Sequence, residues 1–404
     1  MAFYKNLSYM FVVQIANYLI PLLMFPYLIR TVGVDGFGKF NYALTITMIL
    51  FVLSDFGFNL TAVRDISENK SNRYEKSKIF ISVFIVRLII VLIILISSIT
   101  FAFIINEDSY WLVVYFLGML IGQTLMPTWY FQGEERMFFS SVCSLLSKLV
   151  SAVLIFLFVS SETDLWLAPF AYSIGGVIGL IISIYFVINF FDLEFIMPGR
   201  QYVWEKVQGS FFVFMTNIVG NTYVLGSVII LGLFVNDREL GFFSISQKIT
   251  VVIISFFQVF SQVIFPFLAR KKDLVNSGWK RYVTYSSLMC LICYTLFYIT
   301  GISDLVYLYF SGGVSQDGLE IFDWYLVLST IISINVLINP IVLVFRGDRK
   351  LFRYSSMASC AFFILSYVFV PEFSSKGMIV VLFLVEFFIL LMSIKFLSGR
   401  KVIN

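Results

Sequence analysis

The sequence has no histidine, four cysteines and few charged residues. Without histidine it lacks the commonest metal ligand and the usual proton relay near neutral pH. Its CxxC pair, Cys290 and Cys293, lies within an apolar run, where a redox-active or zinc-bound thiolate would lack a polar setting. We also find no phosphate-binding GxxxxGK[ST] motif. These absences argue against a metal site, a cofactor and ATP hydrolysis by this chain.

The shortage of charge indicates a membrane protein. Only 13% of the 404 residues are charged and 60% are hydrophobic, whereas soluble domains carry roughly 25% charged residues. About 20 apolar residues in a helix cross a bilayer core of roughly 30 Å. The sequence therefore predicts an all-α polytopic protein with about twelve transmembrane helices. The apolar runs lie near 7–29, 40–62, 79–103, 110–131, 138–159, 166–190, 210–235, 241–268, 282–300, 323–345, 354–370 and 378–397.

The distribution of basic residues predicts the orientation of these helices. Lys and Arg accumulate in the segments that lie on the cytoplasmic side of a membrane protein. With the N-terminus inside, most of the 28 Lys and Arg residues fall in inside segments, and only Arg30, Lys39, Arg238 and Lys376 fall outside. We therefore expect a multi-pass protein of the bacterial inner membrane with both termini in the cytoplasm.

Two pairs of similar segments suggest that the chain contains an internal repeat. Residues 130–138 (YFQGEERMF) resemble 344–352 (VFRGDRKLF), and residues 38–46 (GKFNYALTI) resemble 241–249 (GFFSISQKI). The offset is about half the chain, so each repeat has six helices and both face the same way. The prediction is two parallel six-helix lobes around a central cavity, with boundaries at 1–195 and 210–404 and a cytoplasmic linker at 196–209.

Ionisable residues in the apolar runs are candidate functional residues, because a charge in the bilayer is costly and usually faces a cavity or a partner. Cations outnumber anions among them, which suits an anionic substrate such as a pyrophosphate. Alternatives remain: snorkelling for Arg30, pairing with a carboxylate for Arg87 and Lys148, and a coupling proton or pairing with Lys148 for Glu386. The candidates are Arg30, Asp55, Arg87, Lys148, Lys248 and Glu386.

Side-chain amides also recur at helical spacing. Residues three or four apart share one face of a helix, so each pair forms a polar stripe. Such stripes bind sugar hydroxyls or join neighbouring helices by hydrogen bonds, and both interpretations stay open. The pairs are Gln14 with Asn17, Asn217 with Asn221, and Asn335 with Asn339.

Several segments resemble a known family. The opening YMFVVQIANYLIPLLMFPYLIRTVGVDGFGKFNYA, the element PTWYFQGEERM at 127–137, and the stretches GFFSISQKI and QVIFPFLAR at 262–270 resemble Wzx-type O-antigen flippases. That family belongs to the polysaccharide-transport branch of the multidrug/oligosaccharidyl-lipid/polysaccharide flippase superfamily. The resemblance implies a MATE-like, V-shaped bundle around a cationic cavity. It also implies translocation of undecaprenyl-pyrophosphate-linked repeat units from the cytoplasmic to the periplasmic leaflet.

The resemblance also implies site residues and partners. The family's functional charges lie mainly in the early helices and the eighth, which points to Arg30, Asp55, Arg87 and Lys248. The implied partners are the lipid-linked oligosaccharide, membrane lipids, an O-antigen polymerase and a chain-length regulator, with no nucleic acid.

Two other functions are considered. A MATE-like small-molecule exporter would favour acidic residues in the cavity, which the cation surplus disfavours. An O-antigen polymerase would need a sizeable outer loop, whereas the longest here, near 301–322, is short.

Overall fold

The computed structural model describes the backbone of residues 2–270, 272–313, 315–345 and 347–398. Side chains are described for residues 19–107, 109–261, 264, 268, 278–313, 315–345, 347 and 349–398. Every regular element in these ranges is a helix, with a short 3-10 turn at Glu162–Asp164. The α-helices are α1 (Ala2–Asp55), α2 (Phe58–Glu68), α3 (Arg73–Ile105), α4 (Asp108–Tyr115), α5 (Leu117–Leu125), α6 (Thr128–Gly133), α7 (Met137–Phe158), α8 (Leu167–Phe190), α9 (Arg200–Gly232), α10 (Asp237–Arg270), α11 (Lys272–Ile299), α12 (Ile302–Ser311), α13 (Gln316–Val344) and α14 (Asp348–Ser398).

Ten stretches of the described chain are long and apolar enough to cross a membrane. Two of them, Leu19–Glu68 and Arg349–Ser398, have 50 residues each, and a straight helix of that length would be about 75 Å long. Each contains a break with non-helical dihedral angles, at Gly33 in α1 and at Ser374 in α14. Each long stretch therefore holds two apolar segments. The expected all-α polytopic architecture is confirmed.

Two of the expected connections are partly helical. The outer loop expected near 301–322 contains helix α12 (Ile302–Ser311) and the start of α13. The segment expected as a linker at 196–209 is helical from Arg200 onward, and only 192–199 has no regular structure. The first ten residues of α9 are largely polar or aromatic, so the hydropathy of the sequence indicated the helix only from about residue 210 onward.

The chain divides into two compact units, and the boundary along the sequence falls between Ile218 and Val219. The division falls inside α9, so the first part of this helix belongs to the first unit and the rest to the second. The predicted lobe boundaries at 195 and 210 lie a few turns upstream and stay predictions.

Small residues allow close helix packing in the first unit. A Cβ atom on Gly118 of α5 would lie 2.6 Å from the Cβ of Ser173 in α8, and one on Gly122 would overlap the backbone of Gly176. Ser173 joins the same helices through polar contacts: its Oγ accepts the Met119 N–H at 3.1 Å and donates to the Tyr115 carbonyl. Close approach at glycine and serine is how membrane helices associate without a hydrophobic driving force.

The WYFQG element forms part of the core. Trp129, Tyr130 and Phe131 of α6 are fully buried in the cluster that joins α2, α3 and α6. Gly133, the last residue of α6, packs against Ile66 of α2. A Cβ atom added to Gly133 would lie 2.7 Å from the Cβ of this isoleucine. This element therefore holds α6 and α2 together by packing.

In the second unit, α13 is the central helix. Leu337, Ile338 and Ile341 are fully buried in a cluster with α11 and the end of α14. The hydroxyl of Ser261 in α10 donates to the carbonyl of Val336 at 2.8 Å. α13 therefore carries the polar groups described below on a well-packed scaffold.

We predict that Gly122→Ala destabilises the protein by about 1–3 kcal/mol, because the added methyl group overpacks the α5–α8 contact. The matched control is Gly209→Ala in α9, where no described atom lies within 4 Å of the added Cβ and alanine favours the helix. Thermal unfolding of the purified protein in detergent measures both. Equal melting temperatures for the two variants would contradict this account of the contact.

Candidate functional site

The first polar cluster of the membrane region begins where α1 ends. Phe56 and Gly57 have positive φ angles of 50° and 76°, and α2 begins at Phe58. A Cβ atom on Gly57 would lie 2.8 Å from the backbone nitrogen of Phe214 in α9, so only glycine fits this turn. The backbone N–H groups of Gly57 and Asn59 donate to the Asp55 carboxylate. The carboxylate thus caps the start of α2, where the helix dipole favours a negative charge.

Arg87 of α3 completes this cluster. Its Nη2 donates to Asp55 Oδ1 and, at 3.2 Å, to Asn59 Oδ1. Its Nη1 donates to the carbonyl of Thr124 in α5 at 3.0 Å. The guanidinium also lies over the ring of Trp129 in α6, 6.0 Å from its centroid. One side chain therefore ties together the ends of four helices and the turn after α1.

The Asp55–Arg87 pair is enclosed. The exposed fractions are 5% for Asp55 and 2% for Arg87. In this conformation the guanidinium presents almost no surface to a substrate, and its charge is balanced by the aspartate. The geometry matches the carboxylate pairing considered above for Arg87. A direct contact with a phosphorylated substrate stays a prediction that requires the pair to open.

The other predicted cations lie in different surroundings. Arg30 is exposed on α1, one turn before the break at Gly33. Lys148 of α7 and Lys248 of α10 are half-buried, and each lies inside a candidate membrane span. All three take part in polar or electrostatic interactions within the protein. None of the three residues is as enclosed as Asp55 and Arg87.

A second polar cluster lies in the second unit. Glu386 of α14 is 7% exposed and Asn335 of α13 is 3% exposed. The Asn335 Nδ2 donates to Glu386 Oε2 at 2.6 Å and to the Glu386 carbonyl at 2.9 Å. The hydroxyl of Tyr223 in α9 hydrogen-bonds to the same carboxyl group. Unlike Asp55, this carboxyl group has an amide and a phenol as its partners in the described chain.

The amide stripe on α13 retains unused acceptors. The Oδ1 atoms of Asn335 and Asn339, one turn apart, are buried and accept no hydrogen bond from the residues whose side chains are described. A buried acceptor without a donor is destabilising. These two oxygens can therefore accept a proton-bearing group or water beside Glu386.

The remaining amides are placed differently. Asn217 is half-buried and Asn221 is exposed, and both side chains make further contacts. They lie on either side of the division between the two units. Gln14 and Asn17 lie outside the residues whose side chains the structure describes.

Three residues of these clusters were not among the sequence candidates: Asn59, Thr124 and Tyr223. Asn59 and Tyr223 lie near Asp55 and Asn221 in the sequence, which is a weak signal for them. Thr124 takes part through its backbone carbonyl, so its side-chain type gives no signal. Among the described residues, no group of three acidic or cysteine side chains could hold a metal ion.

Comparison with known proteins finds one matching family and relatives that are named as transporters. A family model described as "Polysaccharide biosynthesis protein" matches residues 3–272. A protein of Escherichia coli (strain K12) named "Putative O-antigen transporter" is 30% identical over 264 residues, which are 65% of this chain and 64% of that protein. That alignment thus spans less than two thirds of the relative. A protein of the same name from Shigella dysenteriae is 26% identical over 404 residues, 97% of this chain and 99% of its own length.

Solved structures show the same fold. The lipid II flippase MurJ in an inward closed conformation matches with a TM-score of 0.79 at 13% identity, covering 98% of this chain and 88% of that one. An inward-facing multidrug resistance MATE family transporter of the MOP superfamily matches with a TM-score of 0.65 at 10% identity, covering 91% and 93%. At such low identity these matches are evidence for the fold alone.

We predict that Asp55→Asn or Arg87→Met alone destabilises the protein by about 3–5 kcal/mol, because each leaves one buried group of the pair without its partner. The double variant should recover part of this loss, since it leaves no uncompensated charge. A double-mutant cycle of thermal or denaturant unfolding measures the coupling.

The control is Lys70→Met, which breaks a 2.6 Å pair with Glu135 whose side chains are 41% and 67% exposed. We expect a change of less than about 1 kcal/mol there. Additive effects of Asp55→Asn and Arg87→Met would refute a coupled pair.

Proposed function

Because the chain belongs to the polysaccharide biosynthesis protein family, we propose that it is a flippase that moves undecaprenyl-pyrophosphate-linked oligosaccharide repeat units across a bacterial inner membrane. The direction is from the cytoplasmic to the periplasmic leaflet. The observation that carries the proposal is the similarity to a named O-antigen transporter over nearly the full length of both chains. The relatives are named as transporters, not as enzymes, which favours this proposal over a polymerase.

The physical task explains the composition of the chain. A pyrophosphate and a set of sugars cannot enter hydrocarbon without a large desolvation cost, whereas the prenyl chain belongs there. A carrier for such a molecule needs many lipid-exposed helices and a few intramembrane polar groups. The ten apolar stretches and the two polar clusters fit this requirement.

Lys248 is the cation to which we assign the pyrophosphate. It lies in the span Asp237–Ser261, and the residue is half-buried. A lysine at such a depth is costly in lipid, and its ammonium group attracts phosphate oxygens. Lys148 and Arg30 are proposed as further contacts along the path, and Asn217 and Asn221 as contacts to the sugars.

The Asp55–Arg87 pair has a positioning role in this proposal. It holds the turn after α1 against α3, α5 and α6 through the bonds of a single guanidinium. If α1 moves relative to these helices, either the Asp55–Arg87 pair separates or the helices that it joins move together with α1. Its charges would become available to a phosphorylated substrate only in a conformation that separates them.

Glu386 is proposed to carry the coupling proton. Its carboxyl group is buried among the neutral donors of Asn335 and Tyr223, so protonation does not remove an ion-pair partner. A carboxyl group in such a setting can gain or lose its proton when its access to water changes. We place both termini of the chain in the cytoplasm, because Lys and Arg accumulate in the segments on that side of the membrane.

We predict that Lys248→Ala lowers surface polysaccharide roughly tenfold or more, because one charge-assisted contact to phosphate is lost. Lys248→Arg keeps the charge and should retain more activity. The measurement is surface polymer in a strain that lacks the chromosomal gene, together with the amount of protein in the membrane. Lys70→Ala, which removes a partly exposed lysine of the α2–α3 connection, is the matched control.

The same strains separate a flippase from a polymerase. Without a flippase, the carrier-linked unit accumulates in the cytoplasmic leaflet, whereas without a polymerase single units reach the outer surface. Normal surface polymer with Lys248→Ala would remove the assignment of the pyrophosphate to this residue. Accumulation in the periplasmic leaflet in the deletion strain would overturn the flippase proposal.

We predict that Glu386→Gln reduces transport driven by a pH gradient while preserving stability, because glutamine keeps an acceptor for Asn335 but cannot release a proton. Glu386→Leu should lower both, since it leaves the buried donors unpaired. Transport in reconstituted vesicles with and without a pH gradient provides the measurement. Unchanged gradient dependence in a folded Glu386→Gln variant would exclude the coupling role.

A further inference from the structure

A lateral groove of about 680 Å³ lies in the second unit. Its walls are α11 around 291–298 and α13 around 323–334, and Phe383 of α14 also lines it. Both walls belong to candidate membrane spans, Gly278–Ile299 and Gln316–Val344. The groove therefore lies between two helices that are apolar enough to cross a membrane.

The groove changes from polar to apolar along its length. α11 and α13 run antiparallel: the hydroxyl of Tyr294 hydrogen-bonds to Ser333 at 3.0 Å, and that of Tyr282 donates to the Leu337 carbonyl at 3.2 Å. Tyr298 near the end of α11 and Asp323 near the start of α13 thus lie at the same end. Tyrosine and tryptophan favour the depth of the lipid headgroups, and Trp324 lines this end as well.

The rest of the groove suits a hydrocarbon chain. Leu291, Val327 and Ile331 line it, and the first two have exposed side chains. From Asp323 to Ile334 the helix rises about 16 Å, which is about half the thickness of a bilayer core. The polarity gradient has the length and direction expected for one leaflet of lipid.

Asp323 supplies a specific polar feature at the headgroup end. Its Oδ1 is buried and receives no hydrogen bond from any residue in the described ranges. Two further acids, Asp304 and Glu320, lie close enough to interact with it electrostatically. Glu320 has Lys376 as a partner at 2.5 Å. A carboxylate at this depth needs a donor to offset its desolvation.

We propose that this groove binds a phospholipid with a primary ammonium headgroup, with the ammonium group on Asp323 and one acyl chain along Val327 and Ile331. A protonated amine provides both the N–H donors and the positive charge that the buried oxygen lacks. Asp323 and its two acidic neighbours, Asp304 and Glu320, disfavour an anionic headgroup or a pyrophosphate at this position. This inference does not depend on the identity of the transported substrate.

The test compares lipids on the intact purified protein by native mass spectrometry. Phosphatidylethanolamine and phosphatidylglycerol with identical acyl chains are added at equal concentration. We expect bound phosphatidylethanolamine to exceed phosphatidylglycerol, and Asp323→Asn to reduce this preference about tenfold, because the amide still accepts a hydrogen bond but no longer carries the negative charge that attracts the ammonium group. Phosphatidylcholine, whose methylated amine has no N–H donor, should bind as weakly as phosphatidylglycerol.

Two variants control for indirect effects. Asp317→Asn removes the same charge from the same helix at a position that does not line the groove, and it should leave the preference unchanged. Val327→Trp keeps every charge but fills the groove, and it should reduce binding of all three phospholipids even if Asp323→Asn fails to fold.

Three results would overturn the proposal. They are equal binding of the phospholipids to the unaltered protein, an undiminished preference in Asp323→Asn, and displacement of phosphatidylethanolamine by undecaprenyl phosphate that Val327→Trp abolishes. The last result would assign the groove to the prenyl carrier instead.

Discussion

Hydrocarbon cannot solvate a charge or an unpaired polar group, and this constraint governs the arrangement of the whole chain. Backbone groups satisfy it inside helices, which is why every regular element of the described chain is helical. Where α1 stops, the freed N–H groups of Gly57 and Asn59 turn to the Asp55 carboxylate. That carboxylate then needs a cation, which Arg87 supplies. The buried Asp55–Arg87 pair therefore satisfies the backbone groups that the break after α1 leaves free.

Three carboxyl groups within candidate spans illustrate three ways to meet the same constraint. Asp55 is paired with a guanidinium, so it is neutralised within the protein. Glu386 has an amide and a phenol for partners, which permits a neutral, protonated state. Asp323 keeps a buried oxygen without a donor from the described residues and lines the groove between α11 and α13. The first arrangement suits a structural role, the second proton exchange, and the third the capture of a ligand from the membrane.

The residues that make the family recognisable and the residues proposed to contact the substrate are partly different. The WYFQG element, which made the family recognisable, is a packing element: its aromatic residues are buried and its glycine touches Ile66. Among the residues proposed to meet the substrate, Lys248 lies in the GFFSISQKI stretch that also resembles the family, whereas Asn221 lies outside the resembling segments. The segments that identify the family and the residues proposed to contact the cargo therefore coincide only in part.

The sequence by itself determined the all-helical class and the number and position of the apolar segments, because hydropathy is a local property that a window of about 20 residues reveals. It also singled out Asp55, Arg87, Asn335 and Glu386, since a polar residue in an apolar run is conspicuous. Only the tertiary structure decided that Arg87 faces Asp55, that Asn335 faces Glu386, and that α12 and the start of α9 are helical. Those outcomes depend on how residues far apart in the chain meet across packed helices, which no local pattern encodes.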